Sequence, residues 1–363
     1  MALRTSPIAT SRKARLTTVA ALSLVALAAC GSGGGSTTGS AGGGSAKEKT
    51  ACVLLPDADS SSRWDISDRP ALDTAFKQAG FKVNIQNALN DTGKYVTLAQ
   101  QQLTQGCSIM LLTDLNGAGI QVAQKATSQG IPVIAYDRPI KGADYYISFD
   151  NFHVGELEGQ MIVDGLKAKG VDPSAAKVVY LGGDPTDGNA KQFQDGADST
   201  MKAAGIKPAF EVPGTWDAAK AGTGFEQAYT ALSGKVDAVW VANDSNATAV
   251  IQVLDKYNLK VPVSGQDASA VGLRNILLGK QVATVYKPYQ LESQAAVGLA
   301  KQLVAGQKPT IDKKAPDGTP FIEQTPVVVN ADTMQIVFKD GNAKISDVCT
   351  GPVAAECKNR GLD

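Results

Sequence analysis

Six short apolar runs in this chain each end at a small group of charged, amide or aromatic side chains. A short uninterrupted apolar run is typical of a strand in a parallel sheet that helices cover on both faces. In such a sheet, ligands bind outside the carboxyl ends of the strands. The residues that follow the runs 53–55, 131–136, 178–181, 238–241, 261–263 and 282–286 include Asp57, Arg63, Trp64, Asp137, Arg138, Asp184, Asp187, Asn189, Asn243, Asp244, Gln266, Asp267 and Lys287. The pattern predicts a ligand cleft that these side chains line.

Helical segments alternate with the strands, and a glycine follows several of them. Apolar residues recur at helical spacing over 72–79 and 118–128, and Gly80 and Gly130 come soon after. This alternation predicts an α/β fold with parallel sheets and right-handed crossovers. Because the ~315 residues after the N-terminal region exceed one ordinary core, we expect two doubly wound, Rossmann-like lobes.

Three segments interrupt the alternation: a strand and polar turn at 145–151, a turn at 286–288 and a strand at 325–329. We interpret them as three crossings of the chain between the lobes, which together form a three-strand hinge. The predicted boundaries are 51–149 plus 288–325 for the N-terminal lobe, 150–287 plus 326–348 for the C-terminal lobe, and 349–363 for a C-terminal tail.

The first thirty residues have the composition of a targeting segment. A basic stretch precedes an apolar run at 16–29, which is too short to span a bilayer comfortably. The run ends in Leu-Ala-Ala-Cys at 27–30, which resembles the lipobox of bacterial lipoproteins. The resemblance implies a lipoprotein signal peptide at 1–30 and a lipid on Cys30 that anchors the protein to the outer face of the cell membrane. The alternative is an ordinary secretory peptide with an incidental cysteine.

The segment after Cys30 is rich in glycine and serine. This composition at 31–50 predicts a flexible tether between the anchor and the folded domain. The 35 basic and 35 acidic residues give a formal net charge of zero. Such a balance argues against nucleic acid as a partner.

Four cysteines follow Cys30, namely Cys52, Cys107, Cys349 and Cys357. An even number of cysteines in a protein outside the cytoplasm favours disulfides. Of the three possible pairings we favour Cys52–Cys107, which begin two strands of one lobe, and Cys349–Cys357, which enclose a short loop. A zinc site is the alternative, but no C-x-x-C spacing occurs and His153 is the only histidine, so we predict no metal.

Two glycine pairs imitate a dinucleotide-binding fingerprint. Gly117 and Gly119 open a helix after a strand, but Val122 occupies the third glycine position, where a branched side chain obstructs close helix–strand packing. Gly222 and Gly224 follow no strand. The sequence contains neither a phosphate-binding loop nor a nucleophile-elbow motif. We expect no cofactor and no catalytic residue.

The segments at the strand ends, in their order and spacing, resemble the sugar-binding proteins of bacterial ABC importers, and among these the D-xylose-binding type. The matching segments are 63–64, 68–69, 135–138, 146–151, 154–157, 182–185 with 187 and 189–191, 243–244, 264–268 and 285–288, and Gly188 departs from the xylose type, which often has asparagine there. The resemblance implies two lobes that close over one sugar. It implies cleft roles for Arg63, Asp137 and Arg138 of the N-terminal lobe, for Asp187, Asn189, Trp216, Asn243 and Asp267 of the C-terminal lobe, and for Lys287 at a crossing.

These residue types suit a neutral polyol. Arginine donates two bonds to neighbouring hydroxyl oxygens, and a carboxylate accepts two. Either Trp64 or Trp216 can cover the apolar face of a sugar ring. A plain structural role remains an alternative for single residues: the surface for Arg63, helix caps for Asp137 and Asp267, a turn for Asn243, the core for Trp216 and the hinge for Lys287.

The expected function is the binding of a monosaccharide, D-xylose or a related aldopyranose, and its delivery to an ABC permease. We expect a monomer that is not an enzyme. One alternative is a receptor that presents the sugar to a signalling protein. Another is an enzyme that acts on sugars through carboxylates such as Asp184 and Asp187. A DNA-binding repressor is disfavoured, because a signal peptide stands where its basic head would be.

Overall fold

The structure is a computed structural model that describes residues 48–58, 60–61 and 63–362. The predicted signal peptide, Cys30 and most of the tether lie outside the described residues. The first strand begins at Thr50, which pairs with Lys82. The tether predicted for 31–50 is therefore one residue too long, because the backbone of Thr50 already belongs to a sheet. No helix in the described part of the chain is long and apolar enough to cross a membrane.

The strands form two parallel sheets and one antiparallel pair. They are β1 (Thr50–Leu55), β2 (Lys82–Asn87), β3 (Ile109–Leu112), β4 (Val133–Tyr136), β5 (Tyr145–Phe149), β6 (Val178–Leu181), β7 (Pro208–Val212), β8 (Ala238–Val241), β9 (Thr284–Tyr286), β10 (Phe321–Gln324) and β11 (Val327–Val329). The first sheet has the order β10-β5-β4-β3-β1-β2, and the second has the order β7-β6-β8. β9 pairs antiparallel with β11.

Helices connect most of the strands. They are α1 (Arg69–Gln78), α2 (Thr92–Gln105), α3 (Ala118–Ser128), α4 (Asn151–Ala168), α5 (Gly188–Ala203), α6 (Ala218–Ala231), α7 (Asp244–Lys256), α8 (Ala270–Leu277), α9 (Tyr289–Val304), α10 (Gln335–Lys339), α11 (Ile345–Val348) and α12 (Ala354–Asn359). Asp150, Asp187 and Asn243 cap α4, α5 and α7 by accepting bonds from backbone N–H groups of the first turn. These caps place polar side chains where helices start, in the connections that follow strands.

Alternate residues of the first sheet face two separate apolar layers. On one face, Leu54 and Met110 pack with residues of α2 and α3 such as Ala99 and Val122. On the opposite face, Val53 packs with residues of α1 and α9. Both faces of the sheet are therefore buried, as the uninterrupted apolar runs predict for parallel strands.

The chain leaves the first sheet after β5 and returns to it at β10, and the second sheet forms between these strands. This arrangement confirms the predicted α/β class, in which two doubly wound lobes are joined by three crossings. The lobe boundaries given above remain a prediction. The strand predicted at 261–263 is wrong: only Val263 forms a bridge, to Val239, and Pro262 has no N–H to donate to a ladder.

Both favoured disulfides are present. Cys52 of β1 bonds to Cys107 just before β3, and Cys349 bonds to Cys357 of α12. The segment predicted as a tail is folded, because Val353 and Cys357 are buried in a cluster that includes Tyr286 of β9. The end of the chain therefore packs against one of the crossings.

Candidate functional site

One cavity is lined by loops that follow strands of both sheets. All ten residues predicted to bind a ligand line it: Arg63, Trp64, Asp137, Arg138, Asp187, Asn189, Trp216, Asn243, Asp267 and Lys287. Four further residues complete the wall: Ser60, Ser61, Phe193 and Gln266. The structure thus brings together segments that are up to 227 positions apart, since the wall extends from Ser60 to Lys287.

Arg63 is the most heavily paired residue of the wall. Its side chain is 2% exposed and lies among three carboxylates. The guanidinium binds Asp68 in bidentate fashion, with both N–O distances 2.8 Å. It also donates to Asp137 at 2.5 Å and to Glu292 in the first turn of α9 at 2.7 Å. Arg63 is therefore not a surface residue, and its planar fork is held in one orientation.

The carboxyl groups around Arg63 differ in their pKa. Burial alone would raise the pKa of Asp137, but the nearby cations, Arg63 first among them, outweigh burial and lower it. Burial raises the pKa of Glu292 well above its ordinary value, despite the attraction of Arg63. Asp137 is therefore a charged acceptor on the cavity wall, whereas burial of Glu292 behind the wall favours its protonated form more than in an exposed glutamate.

Arg138 forms the second ion pair of the wall. Its Nε lies 2.9 Å from Oδ2 of Asp187, the residue that caps α5. The indole ring of Trp64 lies near both arginines, with its centroid 4.6 Å from Cζ of Arg63 and 5.4 Å from Cζ of Arg138. Cation–π attraction and the ion pairs together fix both guanidinium groups.

Amide side chains connect loops of the two sheets across the cavity. Nδ2 of Asn189 donates to the carbonyl oxygen of Asp137 at 2.9 Å, and Tyr146 donates to Oδ1 of Asn189 at 3.2 Å. Nδ2 of Asn243 donates to the carbonyl oxygen of Ser60 at 2.9 Å. Asn243 also caps α7, so its structural and cavity-lining roles coexist.

Asp267 and Lys287 form the third ion pair, with 2.9 Å between Nζ and Oδ1. Ser61 donates to the other carboxylate oxygen of Asp267 at 2.8 Å. Asp137 and Asp267 have φ angles of 62° and 93°, in the left-handed region that side chains rarely adopt. Neither is a helix cap, because Asp150 caps α4, the next helix after Asp137, and Ser269 caps α8, the next helix after Asp267, so that alternative is wrong for both.

Aromatic rings line another part of the cavity. Nε1 of Trp216 donates to Oδ2 of Asp187 at 3.1 Å, and its ring meets Phe193 edge-to-face at 6.4 Å. A Cβ at Gly183 would lie 2.1 Å from Cζ2 of Trp216, so only glycine leaves room for this ring. Trp216 is half-buried and faces the cavity, so it is not plain core.

The charges on the cavity wall balance. Three cations, Arg63, Arg138 and Lys287, oppose three carboxylates, Asp137, Asp187 and Asp267. A neutral molecule with several hydroxyl groups can accept hydrogen bonds from the cations and donate hydrogen bonds to the carboxylates. A strongly anionic ligand would pair with the cations and leave the carboxylates without compensation. A strongly cationic ligand would do the reverse.

Sequence reasoning missed several residues of this site. Gln266 is one of the predicted strand-end side chains, but the resemblance assigns it no role towards the ligand. Phe193 follows Asn189 by one helical turn, so it carried a usable signal. Ser60 lies in an irregular loop without such a pattern. Glu292 is 229 residues from Arg63 in the chain, and no local pattern could have paired them.

Comparisons with known proteins agree with this architecture. A family model described as a periplasmic binding protein domain matches residues 52–308. The chain belongs to this family. It is 34% identical to the D-xylose-binding periplasmic protein of Escherichia coli K12 over 300 residues, which cover 79% of this chain and 88% of the relative. It is 30% identical to the multiple sugar-binding periplasmic receptor ChvE of Rhizobium radiobacter, with 82% and 91% of the two chains covered.

Solved structures support the same fold. An ABC transporter solute-binding protein from Clostridium phytofermentans, with bound β-D-glucose, superposes with a TM-score of 0.74 at 24% identity. The match covers 83% of this chain and 100% of that structure. The predicted resemblance to the importer-associated binding proteins is thereby confirmed. The ligand-binding roles of the ten residues remain a prediction.

Replacement of Arg63 by methionine tests the buried charge cluster. The variant leaves Asp68, Asp137 and Glu292 buried without their cation, and we expect it to lower the free energy of unfolding by about 3–5 kcal/mol. Lys77→Met is the control, because Lys77 and Asp73 form an exposed pair whose loss should cost less than about 1 kcal/mol. Urea denaturation measures both changes, and equal losses would contradict the assigned importance of Arg63.

Asp244 predicts a pH dependence of stability. Its carboxylate is buried beneath the cavity wall and accepts bonds from Ser269, Gln281 and Thr284. Burial, more than any other influence, raises its pKa to about 7, whereas an aspartate in the unfolded chain titrates near about 3.9. Between these pH values the folded state binds the extra proton, so the stability that Asp244 contributes is lost as pH rises.

The test compares the wild type with Asp244→Asn. The difference in unfolding free energy, wild type minus variant, should fall as pH rises from about 4 to about 7 and stay constant above that. Urea denaturation across this range measures it. Asp255→Asn, in an exposed pair with Lys280, serves as control. Parallel profiles for the wild type and Asp244→Asn would show that Asp244 does not titrate as described.

Proposed function

We propose that this protein binds a neutral monosaccharide outside the cytoplasm and delivers it to an ABC permease. Its ligand is D-xylose or a related aldopyranose. The balanced set of three cations and three carboxylates around one cavity is the observation that carries the proposal. Relatives named for D-xylose binding and for multiple sugars support the choice of ligand class.

The hydroxyl groups and the C–H faces of a pyranose can each contact a chemically suitable group on the cavity wall. Adjacent hydroxyl groups accept bonds from Arg63 and Arg138 and donate to Asp137 and Asp267, and such charge-assisted bonds contribute about 1.5–3 kcal/mol each. Oε1 of Gln266 is a buried acceptor with no hydrogen-bond partner among the described residues, and it can accept a hydrogen bond from a further hydroxyl group. The rings of Trp64, Trp216 and Phe193 cover the C–H faces.

Binding is coupled to closure of the lobes. Loops of the two sheets already bond to each other through Ser61 and Asp267, and through Asn189 and Asp137. A ligand that contacts both sets of loops binds best when they are close together, so it shifts the population towards the closed form. The permease then recognises the surface of the closed protein.

An enzymatic role has less support. Asp184, one of the two carboxylates considered for catalysis, does not belong to the described residues that line the cavity. The other, Asp187, is held by Arg138 and Trp216. A receptor role remains the second candidate, because one relative is named a multiple sugar-binding periplasmic receptor.

A panel of monosaccharides tests the proposed function. A neutral aldopyranose at 100 times its Kd should stabilise the protein by about 2.7 kcal/mol, which a thermal shift detects. The corresponding uronic acid and sugar phosphate should give no shift. A response restricted to a phosphorylated sugar or an amino acid, or no response to any aldose, would contradict the proposal.

The variant Asp267→Ala tests the site itself. Loss of a charge-assisted acceptor should raise the Kd of the best sugar roughly ten- to hundred-fold. Asp255→Ala removes a carboxylate of the same type from an exposed pair and should leave Kd unchanged. Isothermal titration measures both values. An unchanged Kd for Asp267→Ala would remove Asp267 from the ligand set.

We also propose that a lipid on Cys30 anchors the protein, on the basis of the Leu-Ala-Ala-Cys sequence at 27–30. Several acyl chains bind a membrane far more firmly than one, since each buried CH₂ adds about 0.8 kcal/mol. The wild type should fractionate with membranes, and Cys30→Ser should be released or remain unprocessed. Membrane association equal to that of the wild type, for a Cys30→Ser chain from which the signal peptide has been removed, would contradict the anchor.

A further inference from the structure

The first turn of α5 packs against the loop that follows β4. Asp187 meets Arg138 at 2.9 Å, and Asn189 donates to the carbonyl oxygen of Asp137 at 2.9 Å. Gly188 lies between Asp187 and Asn189, which make these contacts, and it lies against Pro139, the next residue of the facing loop. Residues 187–189 and residues 137–139 therefore form one junction between the lobes at the edge of the cavity.

Gly188 has no room for a side chain at this junction. A Cβ placed on it would lie 2.8 Å from Cγ of Pro139 and 3.6 Å from Cδ. The separation of 2.8 Å is shorter than the distances at which Cβ atoms contact other heavy atoms in proteins. The proline ring cannot rotate away, because it is closed onto its own backbone. Any side chain at Gly188 must therefore push the two segments apart.

The backbone itself does not require glycine at this position. Gly188 begins α5 and is not among the residues with a left-handed φ. Alanine adopts a helical conformation more readily than glycine, which loses more conformational entropy on folding. Close approach to Pro139 is thus the feature that favours glycine here.

We infer that Gly188 sets how closely the two lobes approach around the ligand, and thereby sets the affinity for the sugar. The inference rests on the proposed function and adds to it a residue that determines the depth of closure. The flanking residues Asp187 and Asn189 both line the cavity. A side chain at Gly188 would move them away from Arg138 and Asp137 in the closed form and would leave the open form undisturbed.

A double-mutant cycle tests this inference. The Kd of the best wild-type sugar is measured by isothermal titration for the wild type, Gly188→Ala, Pro139→Ala and the double variant. Gly188→Ala should raise Kd roughly tenfold or more, the scale of an overpacked contact. In the Pro139→Ala background the same substitution should raise Kd much less, because the obstructing ring is gone.

Gly298→Ala is the matched control. Gly298 is an exposed helical glycine in α9, and a Cβ there meets nothing within 4 Å. This variant should leave Kd unchanged. The melting temperature of ligand-free Gly188→Ala should equal or exceed that of the wild type, which separates an effect on closure from an effect on folding.

Four results would overturn the inference. They are an unchanged Kd for Gly188→Ala, an equal rise of Kd in the Pro139→Ala background, a rise for Gly298→Ala as large as that for Gly188→Ala, and a lowered melting temperature of ligand-free Gly188→Ala. If the wild type binds none of the sugars, the proposed function fails and the inference fails with it. If the wild type binds a sugar and Gly188→Ala binds it with the same Kd, only the inference is overturned and the proposed function stands.

Discussion

The buried guanidinium of Arg63 is the interaction on which the cavity depends. Its three carboxylate partners, Asp68, Asp137 and Glu292, come from segments that are distant in the chain. An unpaired charge in such a place costs several kcal/mol, so these segments cannot separate without a large penalty. The N-terminal side of the cavity is therefore rigid before any ligand binds.

The rest of the site extends from this cluster by direct contacts. Tyr289 places its ring 4.5 Å from Cζ of Arg63 and donates its hydroxyl proton to the backbone of Asp267. Asp267 in turn holds Lys287, which precedes α9. The same short segment of chain thus joins the charge cluster, the ligand cavity and one crossing between the sheets. A change in one of these three features reaches the other two through one or two side chains.

The C-terminal segment supports this crossing from the other side. Tyr286 donates to Asp340 at 3.0 Å, and Gln290 of α9 donates to the backbone of the same residue. The Cys349–Cys357 disulfide closes the end of the segment, and Val353 packs into the apolar cluster that contains Tyr286. Residues on both sides of the 286–288 turn are therefore tied to one element. Bending at this crossing has to move that element or break its bonds.

Local patterns in the sequence determined the α/β class, the positions of several helices, such as those near 72–79 and 118–128, and the ten polar or aromatic residues that follow the strands. Periodicity is a property of each segment by itself. Parallel strands share one direction, so the side chains at their carboxyl ends meet at the same edge of a sheet. Only the tertiary structure decided that Glu292 pairs with Arg63, that Ser60 and Ser61 join the wall and that Gly188 meets Pro139. Such contacts depend on how distant segments pack, and no pattern within a segment specifies its partner in another.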